Sequence, residues 1–461
     1  MLDTNIHFFS EGRIYSANSV ANKNIFARIK NHELGHKFLN VIDEAKKLVK
    51  LKVCGLMIID DMVVVVFPKA YTLHADNTNL KEHAKLLFRT FQRYMNEHSD
   101  TLESQQIKSS DEEIDTLSHI NEVVYILRDY RQNGYLIRKT TQVSQYRTGR
   151  VLWNKTISQT SPVISEGNII YPQPYMKSTR AVRNRMIQHI HRHLVCKLRH
   201  DWGWIDDDDF PLEQVPPDPC SPNEALTVLR QELRNAFNQR EIALIKCMIR
   251  YYKKISTQSS DLKYDFMLTT NTDDIWEKVC KDVLGDVYDA IVDDVVPKPY
   301  KRRVNSTPEK MKGIIPDLLC IRNKRMYVLD AKNYDLTETY PHWADFTKQY
   351  FYLYTIKERL DNIAKYDSIP TSLKEKYAGI TPVANALLMP SYDDSEPEDC
   401  IYKHHSTVNI PWAPSLGSIL AYKLNTKKMF TAYTTGKGKN LICRALFDEL
   451  DRQSALLRCR D

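Results

Sequence analysis

The stretch "GIIPDLLCIRNKRMYVLDAKNYD", residues 313–335, places two short apolar runs on either side of a basic tetrapeptide. Asn323-Lys324 at its centre predicts a tight turn, because Asn tolerates the positive φ that two-residue hairpin turns require. The two runs, 314–319 and 326–332, then predict a pair of antiparallel strands. The hairpin decides the fold of this region, because its register fixes which side chains meet across the two strands.

Strand alternation places three charged side chains of this hairpin together. Asp317 lies directly opposite Asp330 in the predicted register, and Lys332 projects from the same face as Asp330. Two opposed carboxylates repel each other, and partial burial raises the cost, whereas a divalent cation between them reverses the sign. Oxygen ligands from Asp side chains suit Mg²⁺, with Mn²⁺ as a substitute. Lys332 beside that cation can orient a water and stabilise charge on a phosphate, so the pattern predicts phosphodiester hydrolysis.

A third acidic ligand is expected from the helix that precedes the hairpin. Glu277 lies at the edge of an apolar arc on this helix, from which its carboxylate can reach inward. A Glu on an amphipathic helix is more often solvated, so a surface position stays open for it. The arc consists of Ile275, Trp276, Val279, Cys280, Val283 and Leu284.

These residues resemble the PD-(D/E)XK nuclease superfamily. Pro316-Asp317 is followed thirteen positions later by Asp330, then by Ala331 and Lys332, with Glu277 on the preceding helix. The middle acid is Asp rather than the commoner Glu, which is a permitted variant. The resemblance implies a mixed sheet flanked by helices, a bound Mg²⁺ and metal ligation by Asp317, Asp330 and Glu277.

Other segments are similar to the LlaJI restriction endonuclease family, so the likeness extends over most of the chain. They are "VFPKAY" (66–71), "NGYLIRK" (133–139), "GRVLWNKTI" (149–157) and Lys348-Gln349. The resemblance implies that Gln349, on the helix after the lysine strand, is an accessory active-site residue. The related Gln-x-x-x-Tyr form is not kept, because position 353 is Leu.

The same resemblance implies two partners. LlaJI-type and the similar McrC-type nucleases act on DNA beside an AAA+ GTPase or ATPase subunit of the McrB type. The chain has no phosphate-binding loop of the GxxxxGK[ST] form, so the motor would be a separate subunit. A dimer or a larger complex with that subunit is also expected.

Length and periodicity predict an α/β protein of three regions. Residues 1–160 form an N-terminal mixed α+β region, which by analogy docks on the NTPase, and residues 161–262 form a helical connector with a Pro/Asp-rich loop. Residues 263–461 alternate helix, hairpin, helix and strand, as expected for the C-terminal PD-(D/E)XK restriction-endonuclease-like domain. A chain of 461 residues is long enough for several cores.

Composition narrows the class of protein. A charged share of 27% and a hydrophobic share of 42% are those of an ordinary globular chain. No apolar run reaches the roughly 20 residues of a membrane span, and no secretory signal is visible, so a cytoplasmic location is expected. The nine cysteines are scattered singly and predict reduced thiols. A net charge of +7 permits a polyanion partner without requiring one.

Several alternatives stay open at this point. Asp330 and Lys332 can form a surface ion pair of little energetic value on an ordinary exposed hairpin. The nuclease fold can also serve as an inactive scaffold that binds and stimulates an NTPase, although such a scaffold has no need for the complete Asp-Asp-Lys set. A third alternative keeps the nuclease but directs it to DNA ends or to RNA.

Overall fold

The computed structural model describes most of the chain. The described residues are 6–19, 22–31, 35–59, 62–72, 79–99, 120–145, 148–182, 185–202, 213–257, 264–269, 272–296, 300–301, 309–310, 315–336, 340–413 and 416–458. Within these ranges, no helix combines the length and the apolar character that crossing a bilayer requires. The described cysteines all carry free thiols, as predicted.

Short strands and helices alternate along the chain. The strands are β1 (Ile6–Ser10), β2 (Ile14–Ser16), β3 (Leu39–Asp43), β4 (Leu48–Leu51), β5 (Cys54–Ile59), β6 (Met62–Phe67), β7 (Tyr71–Thr72), β8 (Arg138–Ser144), β9 (Arg150–Val151), β10 (Val163–Ser165), β11 (Asn168–Ile170), β12 (Met176–Val182), β13 (Tyr264–Thr269), β14 (Tyr300–Lys301), β15 (Glu309–Lys310), β16 (Leu318–Arg322), β17 (Arg325–Ala331), β18 (Thr381–Asp393), β19 (Tyr402–Asn409) and β20 (Ser418–Asn425).

The helices are α1 (Lys23–Asn31), α2 (Gly35–Phe38), α3 (Leu80–Ser99), α4 (Ile120–Asn133), α5 (Trp153–Gln159), α6 (Met186–Trp202), α7 (Pro222–Arg234), α8 (Gln239–Thr257), α9 (Thr272–Leu284), α10 (Tyr288–Val295), α11 (Trp343–Lys365), α12 (Thr371–Tyr377), α13 (Thr426–Thr435) and α14 (Lys439–Arg458). Together with the mixed sheets, they confirm the α/β class that periodicity predicted.

The chain divides into two compact units. The first combines residues 1–118 with 263–461, and the second comprises 119–262. The change of unit near residue 262 lies where the sequence predicted its last region to begin. By contrast, residues 119–160, which the sequence assigned to the N-terminal region, belong to the same unit as the connector. The first unit is therefore assembled from both ends of the chain.

The second unit is helical with a small antiparallel sheet. Helix α8 contacts α4 and α7, and α6 contacts the same two helices. Strand β12 pairs with β8 and β9, and β10 pairs with β11. Ser221 caps α7 through its hydroxyl and Pro222 begins that helix, two signals that favour a helix start. The apolar periodicity after residue 224 thus marks a helical pair.

The N-terminal part of the first unit contains a four-stranded sheet in the order β1-β6-β5-β13. Strands β5 and β6 form the hairpin that the apolar runs predicted, with Ile59 opposite Met62, and their side chains are buried. The turn at residues 60–61 lies outside the described residues. Strand β13 adds to β5, so a strand from beyond residue 262 completes this sheet.

The central sheet of the first unit has the order β16-β17-β18-β20-β19, with β7 paired to β18. Strands β17, β18 and β20 are parallel, and β16 and β19 are antiparallel edge partners. Side chains on one face, including Met326 and Val328, pack on α11. Tyr327 points to the opposite face, where its ring contacts that of Phe447 of α14 at a tilt and its hydroxyl donates a hydrogen bond to Asp451. Helices therefore cover both faces of a mixed sheet.

The structure confirms the predicted hairpin register. Arg322 pairs with Arg325, and Leu318 pairs with Leu329. Asn323 and Lys324 both adopt positive φ, 48° and 61°, as a two-residue turn of type I′ requires. The predicted start of the first strand was wrong, because β16 begins only at Leu318. Pro316 has no N–H to donate to a strand partner, which accounts for the late start.

Candidate active site

Three charged side chains converge where β16 begins and β17 ends. The Lys332 ammonium forms an ion pair with Asp330, and its Nζ lies 3.6 Å from Asp317 Oδ2. Asp317 Oδ2 also accepts a hydrogen bond of 3.0 Å from the backbone N–H of Ala331. The Asp330 side chain is only 7% exposed, so the surface ion pair considered from the sequence is not what the chain forms.

Burial shifts the pKa values of the charged groups at this site. Burial and repulsion from Asp330 raise the pKa of Asp317 to about 7, although Lys332 opposes the shift. Burial alone would lower the pKa of Lys332, but attraction to Asp330 and Asp317 raises it above its ordinary value. Among the described residues, the Lys332 ammonium is the cation that pairs with both carboxylates, in a poorly solvated place. Such a setting favours an additional cation.

The sheet holds this end of β17 in place. The backbone N–H of Lys332 donates to Leu388 O of β18 at 3.0 Å, so the parallel pairing continues past the end of the strand. Trp276 of α9 donates its indole N–H to the same carbonyl at 3.0 Å. Helix α9 is thereby fixed to the strand end that carries the charged residues.

Glu277 lies near the site but has a partner of its own. Its carboxylate forms an ion pair with Lys281, one turn further along α9. Burial raises the pKa of the Cys280 thiol, and the carboxylates of Asp317 and Glu277 raise it further, so both lie within electrostatic reach of that sulfur. The predicted apolar arc of this helix is buried in full. The structure thus pairs Glu277 with Lys281.

Gln349 occupies a fully buried position on α11. Its exposed fraction is 0%, and neither atom of its amide has a hydrogen-bond partner among the described residues. Tyr352, one turn further on, is also buried and donates to Ile315 O at 2.8 Å. Burial raises the pKa of Tyr352, and Asp330 and Asp317 add to the shift. Tyr352 therefore lies within electrostatic reach of the carboxylate pair.

Two further buried amides were not expected from the sequence. Asn333 directly follows Lys332, is 5% exposed and has no hydrogen-bond partner within the described ranges for either amide atom. Asn385 lies inside β18 and donates to Gln349 O at 2.7 Å, but its own oxygen has no partner there. Each unpaired buried polar group costs about 1–3 kcal/mol. A polar residue inside the apolar run "ANALLM" was the available signal for Asn385.

Asp345 connects the segment after Lys332 to the start of α11. Its Oδ2 accepts hydrogen bonds from the Tyr334 hydroxyl at 3.1 Å and from the His342 N–H at 3.0 Å. Asp345 also contributes to the raised pKa of Lys332, so its charge reaches the site. Asp345 and Gln349 are four residues apart and therefore lie on the same face of α11, a signal that is present in the sequence.

A second buried carboxylate lies at the N-terminal end of α9. Thr272 donates to Glu11 Oε2 at 2.7 Å, and Lys69 Nζ lies 3.7 Å from Glu11 Oε1 and 3.9 Å from Asp273 Oδ1. Burial raises the pKa of Glu11 to about 7, against the opposing effects of Lys69 and Thr272. The N-terminal segment is therefore bound to the helix that carries Glu277.

The side chains at this site offer two carboxylates to a divalent cation. In the part of the chain that the structure describes, no group of three or more His, Cys, Asp or Glu side chains is arranged to hold a metal. The two carboxylates of Asp317 and Asp330 remain, and they are hard oxygen donors opposed across a strand pair. Mg²⁺ commonly takes one or two protein carboxylates and keeps several waters, so this pair fits it without a third acid.

A curated protein resembles this chain over much of its length. The chain is 24% identical over 309 residues to the type II restriction enzyme BsuMI component YdjA of Bacillus subtilis (strain 168). The aligned part covers 63% of this chain and 65% of that protein, so the chain spans about 65% of the length of this curated relative.

Two solved structures from Thermococcus gammatolerans also match. One is a half-complex from a tetradecameric assembly of McrB AAA+ hexamers with bound McrC. It is 12% identical to this chain, has a TM-score of 0.39, and the match covers 96% of this chain and 100% of that chain. The other is the McrBC complex seen by cryo-electron microscopy, with 10% identity, a TM-score of 0.23 and coverage of 61% and 87%. The sequence model of the LlaJI restriction endonuclease family matches residues 53–413, most of the chain. The chain therefore belongs to the LlaJI restriction endonuclease family.

Proposed function

We propose that this chain is the Mg²⁺-dependent, cytoplasmic DNA endonuclease subunit of a restriction system. Its C-terminal region would have the PD-(D/E)XK fold, and it would hydrolyse phosphodiester bonds of DNA. The observation that carries the proposal is the convergence of Asp317, Asp330 and Lys332 at the ends of two paired strands. Membership of a restriction endonuclease family and likeness to a component of a type II restriction enzyme support the same substrate class.

The cation would be held by the carboxylates of Asp317 and Asp330. Bound there, Mg²⁺ would polarise the scissile phosphate and lower the pKa of a bound water. A ligand of charge +2 relieves the repulsion that raises the pKa of Asp317. The backbone N–H of Ala331 keeps one oxygen of Asp317 oriented toward the strand end.

Lys332 would act on the phosphate itself. Its ammonium is held near the two carboxylates and is partly exposed, so it can reach a phosphate oxygen that approaches the site. A fixed positive charge in a poorly solvated place stabilises the negative charge that builds up during hydrolysis. Gln349 would serve as the accessory residue, since its amide, which has no partner among the described residues, can both donate and accept.

Glu277 would be a third metal ligand only after its ion pair with Lys281 opens. Lys281 and Glu277 are neighbours on the same helix turn, and both side chains are about one-third exposed. An exposed pair of this kind contributes little free energy, so its opening is inexpensive. We propose that Glu277 completes the ligand set when DNA and cation are present.

An NTPase partner is part of the proposal. The chain itself carries no GxxxxGK[ST] loop, and the Bacillus subtilis relative is described as one component of a restriction enzyme. We propose that a separate AAA+ subunit of the McrB type binds this chain and couples nucleotide hydrolysis to DNA cleavage. The region 1–160 would contribute to that docking.

Cleavage by the purified full chain, with and without an AAA+ subunit of the McrB type, tests the function. Linear DNA, circular DNA and RNA would be incubated with Mg²⁺, GTP or ATP, and the Asp330→Asn variant would serve as the matched inactive enzyme. We expect Mg²⁺-dependent cuts in circular DNA that Asp330→Asn does not make. Preferential cleavage of DNA ends or of RNA would show that the substrate differs from the one proposed. Stimulation of the partner's NTPase activity without any cleavage would identify an inactive scaffold.

A further inference from the structure

We propose that Asn385 is a positioning residue for the nuclease site, which fixes helix α11 on the sheet so that the amide of Gln349 faces the end of β17. The inference rests on the proposed function and adds to its site a residue that acts through another. It is carried by a hydrogen bond from a buried strand residue to a helix carbonyl, and by buried amide atoms without a partner among the described residues.

The sheet register directs the Asn385 side chain toward α11. Asn385 of β18 pairs with Val328 of the parallel strand β17, and Val328 packs on α11. Side chains of residues that lie opposite each other in a sheet project from the same face, and so do those of residues two apart on one strand. Asp330, two residues beyond Val328, therefore projects toward the same helix as Asn385 does.

The Asn385 amide binds the helix at one defined point. Its Nδ2 donates to the backbone carbonyl of Gln349 at 2.7 Å, and both residues are 0% exposed. A hydrogen bond is strong in such a poorly solvated place, and a shift of α11 along the sheet would leave the buried donor unpaired. Asn385 therefore fixes where residue 349 of the helix lies on the sheet.

The face of α11 that carries Gln349 is bonded to the chain on both sides of the charged residues. Tyr352 donates to Ile315 O, in the segment that leads into β16. Asp345 accepts from the Tyr334 hydroxyl, in the segment that leaves β17. Positions 345, 349 and 352 have the spacing of one helix face, so Gln349 lies between these two attachments. The end of β17 lies between the same two segments.

The bond from Asn385 uses the backbone of Gln349 rather than its side chain. Neither amide atom of Gln349 has a hydrogen-bond partner in the described part of the chain, and the same holds for Asn385 Oδ1. Buried polar atoms are rarely left unpaired, and local exceptions of this kind are expected at functional sites. Asn385 thus holds the helix while the Gln349 amide stays available to groups at the strand ends.

A double-mutant cycle separates positioning from a general structural effect. The variants are Asn385→Leu, which removes the donor at similar volume, Gln349→Met, which removes the amide at similar length, and the two changes combined. Each full chain, with the McrB-type subunit and nucleotide wherever the wild type needs them, is assayed for the single-turnover rate of Mg²⁺-dependent cleavage of circular DNA. Binding of labelled DNA in Ca²⁺ and the thermal unfolding midpoint are measured in parallel.

The expected signature is a loss of rate that depends on Gln349. Gln349→Met should slow cleavage about a hundredfold, and Asn385→Leu about tenfold, as expected for the loss of one buried hydrogen bond. The combined variant should cut no more slowly than Gln349→Met, because a residue that acts through the Gln349 amide has no further effect once that amide is gone. DNA affinity should stay at the wild-type value in all three variants.

A buried hydroxyl in the same sheet provides the matched control. Tyr422 of β20 is 0% exposed, and its hydroxyl has no partner among the described residues. Ala421, directly before it, belongs to the core cluster that includes Tyr350 of α11, so Tyr422 projects from the opposite face of the sheet. Tyr422→Phe removes a buried polar group away from α11 and should cut DNA at the wild-type rate.

The other outcomes overturn the inference in distinguishable ways. Wild-type rates for Asn385→Leu or for Gln349→Met, or losses that multiply in the combined variant, reject the positioning role while the nuclease proposal stands. A loss of DNA binding in place of a loss of rate rejects it as well. Asn385→Ala, which needs no extra room, repeats the cycle, and unfolding of both Asn385 variants would assign Asn385 a structural role instead. Absence of cleavage by the wild-type chain under every condition rejects both proposals.

Discussion

Replacement of Lys332 by Met tests the electrostatic argument most directly. The change keeps a long side chain but removes the only cation paired with Asp330 and Asp317 in the described structure. At 3.6 Å, and with an effective dielectric constant of about 20, the attraction between Lys332 and Asp317 is worth about 5 kcal/mol. Partial exposure and proton uptake by a carboxyl group left without its partner reduce this value. We expect a net loss of about 3 kcal/mol in the free energy of unfolding.

The free energy of unfolding is measured by urea unfolding, once in EDTA and once in Mg²⁺. A separate assay measures cleavage of circular DNA. Addition of Mg²⁺ should restore much of the stability of Lys332→Met, because the cation replaces the lost positive charge between the carboxylates. Cleavage should stay lost, since the charge that faces the phosphate is gone.

An exposed ion pair supplies the control for Lys332→Met. Lys374 lies 3.3 Å from Asp367, whose side chain is fully exposed, and Lys374→Met should cost less than about 1 kcal/mol with normal cleavage. If Lys332→Met were no less stable than Lys374→Met and still cut DNA, the assignment of the carboxylate pair would be wrong.

Two further predictions concern buried and paired acids. The pKa of Glu11 is about 7 in the folded chain, against an ordinary value of 4.5. Between pH 4.5 and pH 7 the folded chain therefore binds more protons than the unfolded chain does. The free energy of unfolding falls as pH rises through this range, by up to about 3 kcal/mol. Glu11→Gln should match the wild type near pH 4 and exceed it at pH 8 in urea unfolding, and parallel curves for the two proteins would contradict this. Glu277→Gln should raise the Mg²⁺ concentration for half-maximal cleavage about tenfold. Lys281→Ala, which frees Glu277 from its ion pair, should lower that concentration. An unchanged Mg²⁺ dependence in both variants would leave Glu277 a surface residue.

The hairpin could be predicted because its register depends on local chemistry alone. Asn323 and Lys324 carry the turn, and the apolar runs on either side can pair in only one way around it. Counting residues outward from the turn along both strands then places Asp317 opposite Asp330. The burial of the apolar arc on α9 was also predictable, because the helical spacing of its apolar residues shows which face is buried even when the packing partner is unknown.

Long-range assembly could not be read in the same way. Nothing in β13 specifies that it pairs with β5, more than 200 residues earlier, or that Glu11 lies against Thr272. Asn333 and Asn385 are ordinary polar residues in the sequence. They become exceptional only in the fold, where both are buried and at least one amide atom of each has no hydrogen-bond partner among the described residues. The ion pair of Glu277 with Lys281 was available from their spacing of four residues, but spacing alone does not tell a metal ligand from a helix pair.

The completion of the first sheet by β13 has a consequence for how such proteins diversify. Residues 1–118 and 263–461 share one core, so neither block can be exchanged between relatives without its counterpart. The stretch 119–262 forms a compact unit of its own, so recombination can replace it while the shared core of the first unit is inherited intact. Lineages of this kind are expected to vary fastest in their middle.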